Sequence, residues 1–149
     1  MDEQAYRTTY QQIREYPCVY EKAQCSLHCH CSQGQMFRLA DRHGVSCNSE
    51  AQQKQCAQFL NHLRKQTRFV FKINDLDAPL PHNKEIRVQN GGLNGLRELL
   101  GLDAEADIDI SHVISAAVEI HHSVDKLPYD VIMKSVMAFK ARPKHRNKK

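Results

Sequence analysis

The sequence predicts an α+β protein, mainly helical, with a small antiparallel β-pair and a cysteine-rich metal-binding loop between its first two helices. Three observations predict it. Apolar residues recur at helical spacing in several separate stretches, two short stretches alternate apolar with polar residues, and six cysteines crowd a segment with no periodicity of its own. At 149 residues the chain suits one domain, able to bury about two thirds of the surface its unfolded form exposes. The 41% hydrophobic and 26% charged content excludes a disordered or fibrous class.

From the N-terminus, Tyr6, Tyr10, Ile13 and Tyr16 share one helical face, and a first helix over residues 3–16 stops before Pro17. The stretch from Cys18 to Cys31 holds neither a 3.6 nor a 2.0 period, as expected of an irregular loop shaped by what it binds. Met36 to Ala40 suits a short strand or turn, and Asp41-Arg42-His43-Gly44 is turn-like. Asn48 or Ser49 can cap a second helix to about Lys65, with Cys56, Phe59, Leu60 and Leu63 as its apolar stripe.

Residues 68–73 and 84–89 alternate and include β-branched and aromatic side chains, so they are expected to pair as strands. Gly91-Gly92 then reads as a break, with a turn favoured over a phosphate site because the lysine and hydroxyl of a Walker loop are missing. Leu93 to Leu100 suits a short helix closed by Gly101. Asp109 or Ser111 can cap a helix to about His122, and Leu127-Pro128 opens a last one in which Tyr129, Ile132, Val136 and Phe139 share a face. The domain is expected to span residues 1–141, with 142–149 as a basic flexible tail.

The formal charge of +4 is concentrated at one end. Lys140 to Lys149 carries six cationic side chains and no acid, which leaves −2 on residues 1–139. A near-neutral body with a basic tail allows nucleic acid as a partner of Lys140–Lys149, but a protein partner suits the body better. The first residues lack the basic and apolar pattern of a secretory leader, and no apolar run reaches bilayer length, so a cytoplasmic location without a membrane span is expected.

That location governs the cysteines, because a reducing compartment disfavours structural disulfides. Cys18, Cys25, Cys29, Cys31, Cys47 and Cys56 give the pattern Cys-x6-Cys-x3-Cys-x-Cys-x15-Cys-x8-Cys. Thiolates are soft ligands for iron–sulfur clusters, zinc and monovalent copper, and His28, His30 and His43 offer imidazole nearby. The spacing matches neither paired zinc knuckles nor the ferredoxin motifs. A loop triplet with ligands from either side suits a cluster, which is reached from several directions.

Cys18, Cys29, Cys31 and Cys47 are therefore the expected ligands of an iron–sulfur cluster, with zinc as the alternative cofactor. Cys25 can be a ligand or a surface thiol, Cys56 a ligand or a buried core thiol, and His28 and His30 secondary candidates. The corresponding functions are electron transfer or redox sensing, a zinc-stabilised module that contacts protein or nucleic acid, and a metal-free thiol switch. His112, Glu119 and His122 also share a helical face, but one Glu-x-x-His copy is too little for a di-iron bundle, and a solvated face is expected. No Ser/His/Asp arrangement can be singled out, so catalysis is not expected.

Overall fold

Ser49 shows how local chemistry sets the frame: its hydroxyl accepts a hydrogen bond from the Gln52 amide at 3.2 Å and starts the longest helix of the protein. The structure, a computed structural model, describes residues 2–13, 16–26, 29–74 and 78–140. In chain order these form α1 (Glu3–Ile13), α2 (Glu21–Cys25), β1 (Gly34–Leu39), β2 (Arg42–Cys47), α3 (Glu50–Val70), α4 (His82–Leu99), α5 (Ile110–His121), a single 3-10 turn (Val124–Lys126) and α6 (Tyr129–Ala138). The mainly helical architecture with one two-stranded antiparallel sheet matches the fold class expected from the sequence.

The position of the sheet is a correction. The strands pair Gly34 with Cys47 through Leu39 with Arg42 across an Ala40-Asp41 turn, in which Ala40 takes a left-handed conformation at φ 55°. Residues 68–73 and 84–89 are not strands. Gly and Pro are missing between Gly44 and Pro79, so nothing stops α3 at Lys65. It runs on to Val70, with Phe69 83% exposed rather than seated on a sheet face. Residues 84–89 belong to α4, whose buried side is Glu85, Val88, Gln89, Gly92 and Leu96, a helical series.

Gly91-Gly92 does not break that helix. A Cβ on Gly91 would lie 2.6 Å from Val136 Cα in α6, and one on Gly92 would lie 2.3 Å from Leu63 Cδ1 in α3. Close approach of three helices at once is the reason for glycine here, and packing overrides its poor helical propensity. Beneath these contacts lies the main core, built from Phe59, Leu60 and Leu63 of α3, Val88, Leu93 and Leu96 of α4, Ile110, Val113 and Ile114 of α5, and Ile132 and Val136 of α6.

The cysteine segment is a second correction. It lies between α1 and α3, but α2 and the hairpin occupy it in place of an irregular loop. The hydroxyl of Tyr10 on α1 donates to the Glu21 carboxylate on α2, which also accepts from the Val45 amide of β2 at 2.7 Å. Glu85 on α4 accepts from Arg64 Nε at 3.1 Å and Nη2 at 2.7 Å, and from Gln89 Nε2 at 2.7 Å. Gln89 in turn accepts from the Ala23 amide at 3.0 Å and donates to the Val19 carbonyl at 3.2 Å, so α2 is moored to the helical bundle by polar groups. Among the described residues no helix is long and apolar enough to cross a membrane. His28 and the tail 142–149, with the boundary at 141, lie outside the described residues.

Candidate metal centre

Three backbone junctions bring the cysteines towards one another. At the first, Pro17 bridges Ser46, the Cys18 amide donates to the Val45 carbonyl at 3.2 Å, and the Cys47 amide donates to the Tyr16 carbonyl at 2.7 Å. Cys18 and Cys47, 29 positions apart, are thereby set beside each other at the end of β2. Cys47 is 9% exposed and its thiol donates to the Ser49 carbonyl at 3.2 Å, just ahead of the positive end of α3.

The second junction explains the Cys-x-Cys spacing. The His30 amide donates to the Ile108 carbonyl at 3.0 Å, and the Ile110 amide donates to the His30 carbonyl at 2.8 Å, a strand-like bridge to the segment before α5. In extended backbone, neighbours point to opposite sides while residues two apart share one. Cys29 and Cys31 accordingly pack against the core, and His30 is exposed. Asp109 fixes the exit: its Oδ1 accepts from the Ser32 amide at 3.0 Å and from the Ser111 hydroxyl at 3.1 Å. Burial opposes the Asp109 charge, but the Ser32 donors hold its carboxyl below the ordinary value.

The third junction is the face of α3. Cys56 is 7% exposed on the stripe with Phe59, Leu60 and Leu63, and Gln52 one turn earlier donates to its sulfur at 3.3 Å. The Ser115 hydroxyl of α5 donates to Gln52 Oε1 at 3.0 Å and so orients that amide towards sulfur. Gln24 plays the same part for Cys18, with its side-chain amide 3.1 Å from the thiol and its own surface 4% exposed.

These five thiols act on one another. Burial pushes the Cys18 thiol up to about 11, with the nearby Cys31 and Cys47 adding to the effect. Burial likewise pushes Cys29 to about 12, reinforced by Cys18 and Cys31, and Cys56 to about 12, reinforced by Cys31, Cys18 and Cys47. Without a cation the Cys18, Cys29 and Cys56 sulfurs hold their protons at neutral pH. A metal reverses that preference by supplying the missing positive charge, and its binding releases protons.

Cys25 stands apart. It is exposed at the end of α2, its thiol raised by partial burial and by Glu21. Among the described residues no three His, Cys, Asp or Glu side chains are yet gathered closely enough to hold one metal ion. The thiols are a donor set that suits a soft metal. The buried Tyr20 hydroxyl has no hydrogen-bond partner among the described residues.

Tyr20, Gln24 and Gln52 escape sequence reasoning, although each carries a signal. Tyr20 follows Cys18 by two residues, Gln24 by six, and Gln52 precedes Cys56 by one helical turn. His112, Glu119 and His122 are exposed, as a solvated face should be. The chain matches no protein-family model, no curated protein and no solved structure.

Proposed function

We propose that this protein holds an iron–sulfur cluster on Cys18, Cys29, Cys31 and Cys47, with Cys56 as a fifth sulfur able to replace one of them, and that it serves electron transfer or redox sensing in the cytoplasm. The observation that carries this reading is that the backbone contacts at Val45 and Ile108 and the buried face of α3 bring cysteines from four separate stretches of chain to one region. Bound there, a cluster would take up and release one electron at a time. The junctions at Val45 and Ile108 hold the ligand backbones, Gln24 and Gln52 direct amide hydrogens at sulfur, and the apolar side of α3 keeps water from Cys56.

Cys18 lines an open cleft of about 320 Å³ together with Lys22, Arg64, Arg68 and Glu85, which suits contact with a protein partner. The basic tail remains a candidate contact for nucleic acid.

Zinc is the second reading, favoured by the scarcity of apolar core in the hairpin region, where a structural metal would substitute for hydrophobic packing. A metal-free thiol switch is the third reading, in which Cys18, Cys29 and Cys56 would be the less reactive thiols because burial raises their pKa values. Anaerobic purification with iron, zinc and acid-labile sulfide analysis separates these readings. Brown protein containing iron and sulfide is expected, one zinc per chain without sulfide would select the second reading, and metal-free protein would overturn both.

A further inference from the structure

The far end of α3 carries a surface that the metal centre does not use. From Ala51 to Asn74 the chain holds no acidic residue, and Lys65, Arg68 and Lys72 flank Phe69 in sequence. These four side chains line an open cavity of about 890 Å³ together with Asn61 and Asn74, a volume within the range of ligand sites. Phe69 is 83% exposed. The nearby Phe71 is covered instead, with Lys84 Nζ 4.5 Å and Arg87 Cζ 5.7 Å from its ring centroid. Among the described residues nothing comparable lies over Phe69.

The ring stands on an ordered support. α3 closes in a Schellman turn, in which the Ile73 amide donates to the Arg68 carbonyl at 2.9 Å and the Lys72 amide donates to the Phe69 carbonyl at 3.3 Å. Lys72 takes the left-handed position at φ 57°, where glycine is usual. Arg68 is fixed as well, its Nη2 donating to the Ala78 carbonyl at 2.9 Å. Cations near the C-terminus of a helix meet the negative end of its dipole, which gives them a local use. That use does not extend to an aromatic ring left in water. Three cations with no acid favour an anionic ligand, and an exposed ring beside two amides favours a flat ligand with hydrogen-bonding edges. A nucleotide strand has both, one base beside each phosphate.

We propose that this cavity binds single-stranded nucleic acid: a base stacks on Phe69, Lys65, Arg68 and Lys72 meet the adjoining phosphates, and Asn61 and Asn74 hydrogen-bond to base edges. The site uses none of the basic tail and does not depend on the metal-centre reading. An acidic peptide would satisfy the cations but not the ring, and an anionic bilayer would leave the amides without a role. Every base has a π-face, so stacking here tolerates sequence, and single strands are preferred to duplex, whose bases are already stacked on one another.

The chain has no tryptophan, so Phe69→Trp in the full chain places a single fluorescent reporter at the stacking position. Titration with oligothymidylate and with oligouridylate should quench it, and the strand that quenches at lower concentration names DNA or RNA as the preferred form. In anisotropy titrations with the same labelled strands, Phe69→Leu should bind about tenfold more weakly than wild type with an unchanged salt dependence, and Phe69→Tyr should bind as wild type does. Lys65→Gln and Lys72→Gln should each reduce the slope of log affinity against log salt by about 0.7. Phe69 is exposed, so Phe69→Leu should melt with the wild type, and Phe69→Trp and Phe69→Tyr carry the test if it does not. Equal affinity of wild type and Phe69→Leu would assign the binding to the tail and overturn the site. Quenching of Phe69→Trp by phosphatidylserine–phosphatidylcholine vesicles or by polyglutamate, but by neither oligonucleotide, would overturn it in favour of a membrane or an acidic protein. Silence of the reporter towards every one of these probes would overturn it outright.

Discussion

The two halves of this molecule are stabilised by different chemistry. From α3 onward, Leu, Ile, Val and Phe side chains of four helices interlock around a continuous core. Before α3, the buried hydrophobic residues among those described are Tyr20, Ala23, Val45 and Cys47. What gathers there is polar and soft: the Tyr10–Glu21–Val45 contact, the Gln89 mooring and a group of thiols. A region that cannot bury enough apolar surface needs another source of cohesion, and small domains commonly find it in a metal.

The largest expected effect follows from withdrawing the proposed metal. Structural metal sites contribute roughly 10 kcal/mol or more to folding. Chelation should therefore remove amide-exchange protection from residues 16–47, while the centre of α4 and of α6 keeps theirs. Uniform loss across all elements would show that the two halves are one cooperative unit and would break the contrast drawn here.

Next in size is the link between the halves. Arg64→Met leaves the Glu85 carboxylate, 6% exposed, without its guanidinium and should cost about 3 kcal/mol in urea unfolding at neutral pH. Burial opposes the Glu85 charge, but the hydrogen bonds from Arg64 and Gln89 prevail and hold its carboxyl below the ordinary range. Since the folded value lies below the unfolded one, about 4.3, the stabilisation is complete above that pH and is lost as pH falls through the folded value. The penalty of Arg64→Met should shrink over the same acidic window. A penalty independent of pH would remove Glu85 from the explanation.

Smaller still is a purely steric change inside the bundle. Gly91→Ala sets a methyl 2.6 Å from Val136 Cα, a backbone atom that cannot rotate away. Net destabilisation of about 1–3 kcal/mol is expected despite the better helical propensity of alanine. Metal content should be unchanged, since the contact is between α4 and α6. The smallest effect belongs to Cys25→Ser, within about 0.5 kcal/mol of wild type and with full metal content, whereas Cys29→Ser should lose the metal. Metal loss in Cys25→Ser would move the exposed thiol into the ligand set.

The same contrast explains what the sequence reveals. In the bundle, Ser49 as a cap and the Cys56, Phe59, Leu60, Leu63 stripe are legible, because capping and periodicity are local. The last helix is legible too, with Ile132 and Val136 buried as its spacing requires. Residues 84–89 mislead, because Ile86 and Val88 alternate with charge as a strand would, while the buried Glu85 and Gln89 are polar positions whose burial depends on Arg64 and Val19 far along the chain. Gly91 and Gly92 read as punctuation for a similar reason: the helices they admit come from distant sequence. Of the hairpin, Met36 to Leu39 is legible as part of a short strand, but β2 is not: Arg42, His43 and Gly44 read as a turn, and its apolar alternation is weak, with Val45 buried beside exposed His43.

For the candidate centre, clustering identifies the segment, but grouping the thiols requires the junctions. Nothing in the spacing separates Cys25, exposed on α2, from Cys29, four residues away and turned inward by the His30 bridge. What sets Cys25 apart from the other thiols is the backbone contacts at Val45 and Ile108, which no window around the cysteines contains.

The His30 bridge also orders events in time. It joins residue 30 to residues 108–110, so Cys29 and Cys31 cannot take their final stations until some eighty further residues have been synthesised and α5 has docked. Translation proceeds at roughly 5–20 residues per second, so on a ribosome these thiols wait, reduced and accessible, for several seconds before the place prepared for them exists. Loading of the proposed centre would thus be a late step of biogenesis, and whatever keeps nascent cysteines from oxidation during that interval would share in making the mature protein.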